Sequence, residues 1–480
     1  MAGVAALSEA KRNLLQSYLG AGSAQHRVAP SLITASSSSE PAPLTISQEQ
    51  LIRREISRPD APPLYNECIQ LRMLGTLNVP ALEKSFVDIL RRHEIWRTTF
   101  GVTDGHILQL IHPPGDHVEM PTIDLGALPR SEQEEEIQRV IGELIQKRFD
   151  LSGGPLLQAR LIRLTSLEHR LYVVAHLSIV DGVSVYQIFP AELAILYRAY
   201  AARRSPEFIP LPLQFRDYAV WQRQVAKTEV IDKQLNYWSA QLAGGIPHLE
   251  WPGNRARPDR ESFGGKIEKF VLPSATAHAI KSIARKEALT LFATKVSLLA
   301  AVLHSYTGQD DFAIGTPSPS GRKRSEFQKL LGYFLTPVAL RFRITSRMSF
   351  RELMRQAQRL VLEAISNDDL PVEVVAEKLM LNTDASRNPL FTVAMSLQPP
   401  MPTLELEWAV TSMDFSSGGA PWDLYLAFID GQEGMLGRTQ YNPDLFETET
   451  IARLVQDYQQ LAQIVSANPE RPLKEISIAS

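Results

Sequence analysis

The segment that decides the fold runs from residue 175 to residue 184 and reads Ala175-His176-Leu177-Ser178-Ile179-Val180-Asp181-Gly182-Val183-Ser184. It continues an apolar run over residues 171–175, which predicts a strand buried on both faces. An apolar helical pattern continues from Val183 to Tyr197, with a disturbance expected at Pro190. Polar residues between a buried strand and a helix often hold chemistry at the carboxyl end of a sheet. The segment therefore predicts an α/β fold with functional residues in this loop.

The rest of the chain repeats this alternation of strands and helices. Residues 68–73 alternate between apolar and polar, which is typical of a half-buried strand. A helix over residues 80–90 begins at a proline and ends at the basic pair Arg91 and Arg92, where cations favour the helix dipole. Further predictions are helices over residues 131–147, 296–306 and 451–465, a buried strand over residues 311–316, and a loop over residues 316–321.

Composition excludes several classes of protein. With 480 residues, 44% of them hydrophobic and 21% charged, the chain predicts two or three globular domains. A formal net charge of -3 gives no footprint for nucleic acid. The single cysteine, Cys68, excludes an internal disulfide and a multi-cysteine metal site, and it favours a reducing, cytoplasmic location. No apolar run approaches the roughly 20 residues of a membrane helix.

The domain organisation is predicted in three parts: residues 1–41, 42–212 and 213–480. In the first part, residues 8–19 form a short amphipathic pattern with Ser8 as its N-cap, followed by a Ser/Ala/Pro-rich linker. A helix and linker ahead of a globular body suit a segment that docks on a neighbouring protein. A tail that contacts nothing fits the same residues, and both interpretations stay open.

Eight segments, taken in order along residues 44–472, resemble the motifs of one family. Residues 176–184 resemble its HHxxxDGxS signature. The other segments are residues 92–100 (RHEIWRTTF), 149–156 (FDLSGGPL), 215–221 (FRDYAVW), 237–238 (YW), 331–341 (LGYFLTPVALR), 367–373 (NDDLPVE) and 386–391 (SRNPLF). The chain thus resembles a condensation domain of a nonribosomal peptide synthetase or a hybrid polyketide-peptide synthetase, within the chloramphenicol acetyltransferase-like superfamily.

The resemblance implies two acetyltransferase-like lobes that form a V-shaped pseudo-dimer, with the active-site tunnel between them. Upstream and downstream carrier proteins would present thioester-bound substrates on phosphopantetheine arms, and the downstream amine would attack the upstream thioester. The domain itself would need no metal and no cofactor of its own. Its partners would be the carrier proteins, the neighbouring synthetase domains and, given the N-terminal helix and linker, an upstream polyketide synthase subunit.

The signature departs from the family at its second histidine, the residue usually assigned to general-base or positioning work. Leu177 stands there, and leucine can neither accept a proton nor accept a hydrogen bond. His176 matches the first histidine, which is usually structural; a rescue role in catalysis is the alternative. Asp181 is expected to be structural, paired with Arg341 or Arg97, because a buried carboxylate needs a partner.

Other positions receive roles by the same resemblance. Gly182 would permit a tight turn and the close approach of a thioester, and Ser184 would cap the next helix. Ser184, Tyr333 and Trp422 are expected on the substrate-binding wall.

Smaller departures are Pro337, which removes a backbone donor near the tunnel, and Val372, which would enlarge a cavity. Both changes also fit neutral drift. The basic run over residues 322–324 would meet an acidic carrier or a phosphate, or would simply be solvated.

Three functions remain open at this stage. The first is amide formation, since general-base help is worth ~10²–10⁴-fold whereas positioning two reactants supplies effective molarities of ~10⁵–10⁸ M. The second is a catalytically silent docking or gatekeeping domain, for which Leu177 is the evidence. The third is an acyltransferase with a diffusible acceptor. Epimerisation and heterocyclisation fit less well, because by resemblance the first keeps both histidines and the second has an aspartate in place of His176.

Overall fold

The computed structural model describes residues 33, 35, 40–207, 209–226, 229–251, 255–345, 347–378, 388, 390–404, 406–411, 415–430 and 434–476. The predicted helix over residues 8–19 lies outside the described residues, as does most of the linker that follows it. Residues 35–480 form one compact unit, and the account below concerns that unit. The predicted domain boundaries after residues 41 and 212 stay predictions.

The described residues form fourteen strands and eleven α-helices. The strands are β1 (Ala42–Pro43), β2 (Asn66–Leu74), β3 (Thr98–Thr103), β4 (His106–Ile111), β5 (Thr122–Asp124), β6 (Leu157–Arg163), β7 (Glu168–His176), β8 (Lys266–Leu272), β9 (Asp311–Ser318), β10 (Thr336–Arg343), β11 (Val393–Gln398), β12 (Trp408–Thr411), β13 (Leu424–Asp430) and β14 (Met435–Tyr441). The helices are α1 (Ile46–Ile56), α2 (Val79–Arg92), α3 (Arg130–Gln146), α4 (Phe189–Ala201), α5 (Phe215–Val225), α6 (Glu229–Leu242), α7 (Ser274–Lys286), α8 (Leu291–Thr307), α9 (Phe350–Ser366), α10 (Val372–Lys378) and α11 (Thr448–Ala467).

Three sheets organise the described residues. A five-stranded sheet has the order β12-β2-β7-β6-β5, and a six-stranded sheet has the order β10-β9-β11-β13-β14-β8. A small third sheet has the order β1-β4-β3. Strand β12 comes from the second half of the chain, yet it pairs antiparallel with β2 in the first half, with Trp408 opposite Met73. The second half of the chain thus supplies one edge of the five-stranded sheet.

The strand and helix around the signature are confirmed. Residues 171–175 have no exposed surface, as a strand covered on both faces requires, and β7 extends them to His176. The disturbance expected at Pro190 is also present. A π-helical turn over Ser184–Ile188 precedes α4, and Pro190 occupies the first turn of that helix, where its missing N–H is tolerated.

The other predicted elements are confirmed, apart from one loop. The predicted strand over residues 68–73 lies in β2, and the helices predicted from residues 80, 131, 296 and 451 correspond to α2, α3, α8 and α11. The loop predicted from residue 316 is wrong at its start, because β9 runs on to Ser318. Pro317 pairs there with Pro337 of β10. Strand β10 lies at the edge of its sheet, where proline is tolerated.

Helix α8 forms the centre of the second half's core. Residues 293–303 of this helix are all buried, so the helix is surrounded by the core on every side. An amphipathic helix would bury only one face. Among the described residues no single helix is long and apolar enough to cross a membrane, and only α7 with α8, bent by 112° between them, meet that test jointly.

Candidate functional site

A cavity of about 690 Å³ lies between the two large sheets, with the signature loop on its wall. The first half of the chain contributes side chains from α1, from the start of β2 and from the signature. The second half contributes side chains from β9, β10, β11 and β13. The wall residues used below are Tyr65, Glu67, Leu177, Asp181, Gly182, Tyr333, Pro337, Gln398, Trp422 and Tyr425.

His176 lies behind this wall and is not among the residues that line the cavity. Its side chain is completely buried, and its ring meets Tyr65 and Phe149 edge-on. The backbone N–H of Ser178 donates to His176 Nδ1 at 3.3 Å, and the Ser178 hydroxyl lies 2.7 Å from the same nitrogen. Since Nδ1 accepts, a neutral ring carries its proton on Nε2, which lies 3.5 Å from Glu55 Oε2 without making a hydrogen bond to it. His176 therefore contacts the loop from behind and does not face the cavity.

Leu177 occupies the cavity wall directly after β7. Its backbone N–H donates to the Tyr65 carbonyl at 2.7 Å, which carries the strand pairing one residue beyond His176. A short 3₁₀ turn over Leu177–Ile179 then bends the chain away from the sheet. Of the two residues, Leu177 is therefore the one that faces the cavity.

Asp181 is buried and bonded by a different arginine from those predicted. Arg322 Nη2 lies 2.8 Å from Asp181 Oδ1, and Arg322 Nε lies 3.0 Å from Oδ2. Phe334 N also donates to Oδ2, at 3.4 Å. The expectation that Arg341 or Arg97 would be the partner is wrong, because both are engaged elsewhere.

Arg341 binds Asp311 across the β9–β10 pair, through Nε at 2.8 Å and Nη2 at 2.7 Å. Its Nη1 donates to the carbonyls of Gln241 and Ala243, which ties α6 to the sheet. Arg97 donates to the His112 carbonyl, and its pKa is lowered by burial. Both arginines therefore make structural contacts with other residues.

The basic run over residues 322–324 is not solvated as a unit. Arg322 is 8% exposed and also donates to the carbonyls of Phe327 and Leu330. Lys323 pairs with the buried Asp368, and the Arg324 guanidinium lies over the Trp221 ring. Arg322 is consequently a buried partner of Asp181, whereas the sequence pattern placed it at the surface.

Ser184 does not line the cavity, and it is not the cap of the following helix. Its backbone N–H donates to Asp181 Oδ1 at 2.7 Å, so Asp181 performs the capping. The Ser184 hydroxyl bridges to the N–H and the carbonyl of Gly332, at 3.0 and 3.1 Å. Ser184 therefore joins the signature loop to the second half of the chain.

Gly182 makes room for a side chain from the opposite wall. A Cβ at this position would collide with Gln398 Oε1, so the glycine lets that amide approach the loop. Gln398 Nε2 donates to Ser396 Oγ at 3.0 Å, and Ser396 Oγ lies 2.6 Å from the Tyr425 hydroxyl. Burial raises the pKa of Tyr425, which keeps the phenol neutral.

Tyr333 and Trp422 both face the cavity, and their substrate-binding role stays a prediction. Trp422 packs against Phe391 and Tyr425, with ring centroids 6.1 and 5.2 Å apart. Its buried Nε1 has no hydrogen-bond partner among the described residues. Pro337 also lines this wall, whereas the side chain of Val372 lies outside the described set.

Sequence reasoning missed Arg322, Gln398, Tyr425 and Glu67. A buried Asp181 does predict an arginine, but no local signal distinguishes one arginine 141 residues away from another. Glu67 belongs to a strand pattern, in which a single acidic residue is normally interpreted as facing solvent, so nothing in the pattern indicates a cavity residue. Within the described part of the chain, no cluster of three or more His, Cys, Asp and Glu is arranged to hold a metal ion.

Comparison with known proteins identifies the family of this α/β fold with two large sheets. The family model "Condensation domain" matches residues 39–480. The chain therefore belongs to the condensation-domain family.

Curated relatives are parts of peptide synthetases. The chain is 34% identical over 438 residues to a linear gramicidin synthase of Brevibacillus parabrevis, a match that covers 90% of this chain and 8% of the synthase polypeptide. It is 32% identical over 473 residues to the phosphinothricin tripeptide synthetase PhsC of Streptomyces viridochromogenes, covering 97% of this chain and 43% of the synthetase. The chain thus spans less than half the length of these relatives.

Solved structures share the fold. The X-domain from teicoplanin biosynthesis superposes with a TM-score of 0.80 at 26% identity, covering 93% of this chain and 100% of that domain. The first condensation domain of the calcium-dependent antibiotic synthetase superposes with a TM-score of 0.80 at 18% identity. The match covers 92% of this chain and 100% of that domain. The expected two-lobed, acetyltransferase-like pseudo-dimer is confirmed by these likenesses.

Proposed function

We propose that this domain joins an upstream acyl or peptidyl thioester to a downstream amine, each carried on the phosphopantetheine arm of a carrier protein. The observation that carries the proposal is the cavity of about 690 Å³ between the two halves, with Leu177 and Gly182 on its wall. A space of this size can hold the reacting ends of two substrates side by side.

Positioning is the main catalytic resource of the domain. Leu177 accepts no proton, and His176 is buried behind the wall with Nδ1 bonded to Ser178. Holding a neutral amine against a thioester supplies effective molarities of ~10⁵–10⁸ M, which exceeds the ~10²–10⁴-fold from a general base. Amide formation without the imidazole is therefore chemically reasonable, whereas ester formation from a hydroxyl would suffer more.

The side chains of the signature serve this positioning indirectly. Asp181 and Ser184 join the loop to Arg322 and Gly332 of the second half, so the loop cannot move independently of the opposite wall. Trp422 and Tyr333 provide aromatic surface for the substrate chains. The partners of the domain are the two carrier proteins, the neighbouring synthetase domains and, through the N-terminal segment, a polyketide synthase subunit upstream.

The test loads an upstream carrier with its acyl chain and a downstream carrier with its amino acid, and follows chain transfer by intact-protein mass spectrometry. The wild-type domain and Leu177→His are compared at equal concentration. We expect transfer by the wild type and a faster rate for Leu177→His. Transfer by Leu177→His alone would reject an active wild-type domain.

A second candidate is a silent platform that recruits another protein. Two observations favour it: the leucine at the wall position, and the 26% identity to the X-domain, which has been solved in a complex with OxyB. In this case neither carrier-bound substrate reacts, and a purified tailoring enzyme of the same assembly line binds to the domain. Transfer by the wild type would exclude this candidate.

A further inference from the structure

A carboxylate lies on the cavity wall beside the position that has lost its imidazole. Glu67 is the second residue of β2, and both Glu67 and Leu177 line the cavity of about 690 Å³. Glu67 also lines a neighbouring cavity of about 300 Å³, so it stands where the two spaces meet. Gln398 and Tyr425 line both cavities in the same way.

The strand register places Glu67 on the reactive face. Glu67 pairs with Ala175 of β7, Asn66 pairs with His176, and Tyr65 receives the N–H of Leu177. Side chains alternate along a strand, so Glu67 lies on the face opposite to Asn66 and His176. Diagonal neighbours two residues apart across a strand pair have Cα atoms about 7–8 Å apart, a gap that a glutamate side chain spans.

The charges around Glu67 leave it available as a base. Its ion-pair contact is Arg438 of β14, with Nη1 3.9 Å from Oε2, longer than a direct hydrogen bond. Two further titratable residues, Lys269 and Tyr186, line the smaller cavity, and Tyr425 lines both cavities. The larger cavity contains Arg54 and Glu261, which pair with each other at 2.8 Å.

Burial raises the pKa of Glu67, and Arg438 offsets this only in part. A carboxylate with a raised pKa is a stronger base than an exposed one, which suits proton transfer near neutral pH. Asp181 is unsuited to this task, because Arg322, Ser184 and the backbone of Phe334 already occupy its oxygens.

We propose that Glu67 accepts the proton of the attacking amine in place of the imidazole missing at position 177. The inference rests on the proposed amide-forming function. In the step, the amine nitrogen forms a bond to the thioester carbonyl carbon and gives a proton to the Glu67 carboxylate. The carbon–sulfur bond then breaks, and the proton passes from Glu67 to the departing thiolate. The products are the amide and a free carrier thiol, with no change in oxidation state.

The test measures single-turnover transfer between loaded carriers from pH 5.5 to pH 9 for the wild type, Glu67→Gln and Glu67→Asp. The matched control is Glu168→Gln, at the other end of the same strand pair, where Glu168 binds Arg72 at 2.8 Å. We expect Glu67→Gln to slow transfer by ~10²-fold or more and to lose the rise of rate with pH that the carboxylate provides. Glu67→Asp keeps part of the rate, and Glu168→Gln matches the wild type.

Two further measurements separate this inference from the function on which it rests. Leu177→His in the Glu67→Gln background is expected to recover transfer, since either group accepts the proton. A carboxyl ¹³C titration of the wild type, assigned by its loss in Glu67→Gln, is expected to show a pKa above the ordinary glutamate value of ~4.3. Transfer by Glu67→Gln within about twofold of the wild type would overturn the role of Glu67 and leave the amide-forming function intact. Absence of transfer by the wild type would overturn that function itself.

Discussion

Single residues of the signature hold the two halves of the molecule together. The Asp181 carboxylate receives two nitrogen donors from Arg322, together with the backbone N–H of Ser184. Both charged side chains are less than a tenth exposed. A buried pair of this kind contributes little net stability, but removing one partner leaves an uncompensated buried charge. Asp181 is thus explained by assembly of the cavity rather than by proton transfer.

Replacing Arg322 by methionine is expected to lower the free energy of unfolding by about 3–5 kcal/mol, because Asp181 then remains buried without its cation. Asp181→Asn combined with Arg322→Met should cost less than Arg322→Met alone. Urea unfolding followed by fluorescence measures both. Arg343→Met is the control, since its side chain is 66% exposed. An equal loss for the single and the double variant would contradict the argument.

Asp368 predicts a pH dependence of stability. Burial raises its pKa to about 6, although Lys323 and the Ser318 hydroxyl oppose the shift. A carboxyl whose pKa is raised by folding contributes stability below its unfolded value of 3.8, and loses it as the pH rises through about 6. As the pH rises from 4 to 8, the melting temperature of Asp368→Asn should therefore increase relative to that of the wild type. Thermal melts across this range measure the difference. Asp116→Asn, at a site 95% exposed, should show no such trend.

At the scale of elements, helix α8 carries a lysine into the core of the second half. Lys295 is completely buried, and its Nζ lies 3.4 Å from the centroid of the Phe428 ring. Burial lowers the pKa of Lys295 well below its ordinary value. Most of the buried neighbours of Lys295 on this helix are apolar, so burial disfavours the charged form of its side chain.

Lys295→Met is accordingly expected to raise the melting temperature at pH 7 by a few degrees. Folding disfavours the charged amine, so the wild type loses stability at every pH below the unfolded pKa of 10.5. Methionine has a similar shape and carries no charge. Differential scanning calorimetry checks the shift, with Lys281→Met as the partly exposed control. A lower melting temperature with an unchanged fold would show that Lys295 stabilises the helix.

At the scale of the whole molecule, strand β12 couples the two halves independently of the signature. Trp408 of β12 is 7% exposed, and its ring lies 4.7 Å from that of Tyr197 in α4. The strand also pairs with β2, the strand that carries Glu67 and pairs on its other side with β7. Both the signature loop and this strand therefore hold the cavity wall in place.

Trp408→Ala is expected to destabilise the protein by about 3 kcal/mol through lost burial and the cavity that remains. It should also slow chain transfer, because β2 loses support along the edge that leads to the cavity. Ala409→Ser, at an exposed position of the same strand, should change stability by less than about 0.5 kcal/mol. Chemical denaturation and the carrier assay are run on both variants. A destabilised Trp408→Ala with full activity would separate β12 from the site.

The sequence predicts those features that depend on local pattern. The apolar run before His176 predicts β7, and Pro190 predicts the irregular start of α4, because burial and backbone restriction act on neighbouring residues. The resemblance in turn predicts the two-lobed fold. The partner of Asp181 and the approach of Gln398 to Gly182 were missed, since each joins residues more than a hundred positions apart. Such contacts arise from tertiary packing, which no periodicity encodes.

The exchanged strand β12 has a consequence for building chimeric synthetases. A crossover placed at the predicted lobe boundary, near residue 212, would take β12 from a different parent than the sheet it completes. A poorly matched strand leaves the edge of β2 unpaired, and unpaired edges invite association with other chains. Recombinants that take residues 408–411 from the same parent as the first lobe should therefore stay monodisperse. Recombinants made with a single crossover near residue 212 should aggregate.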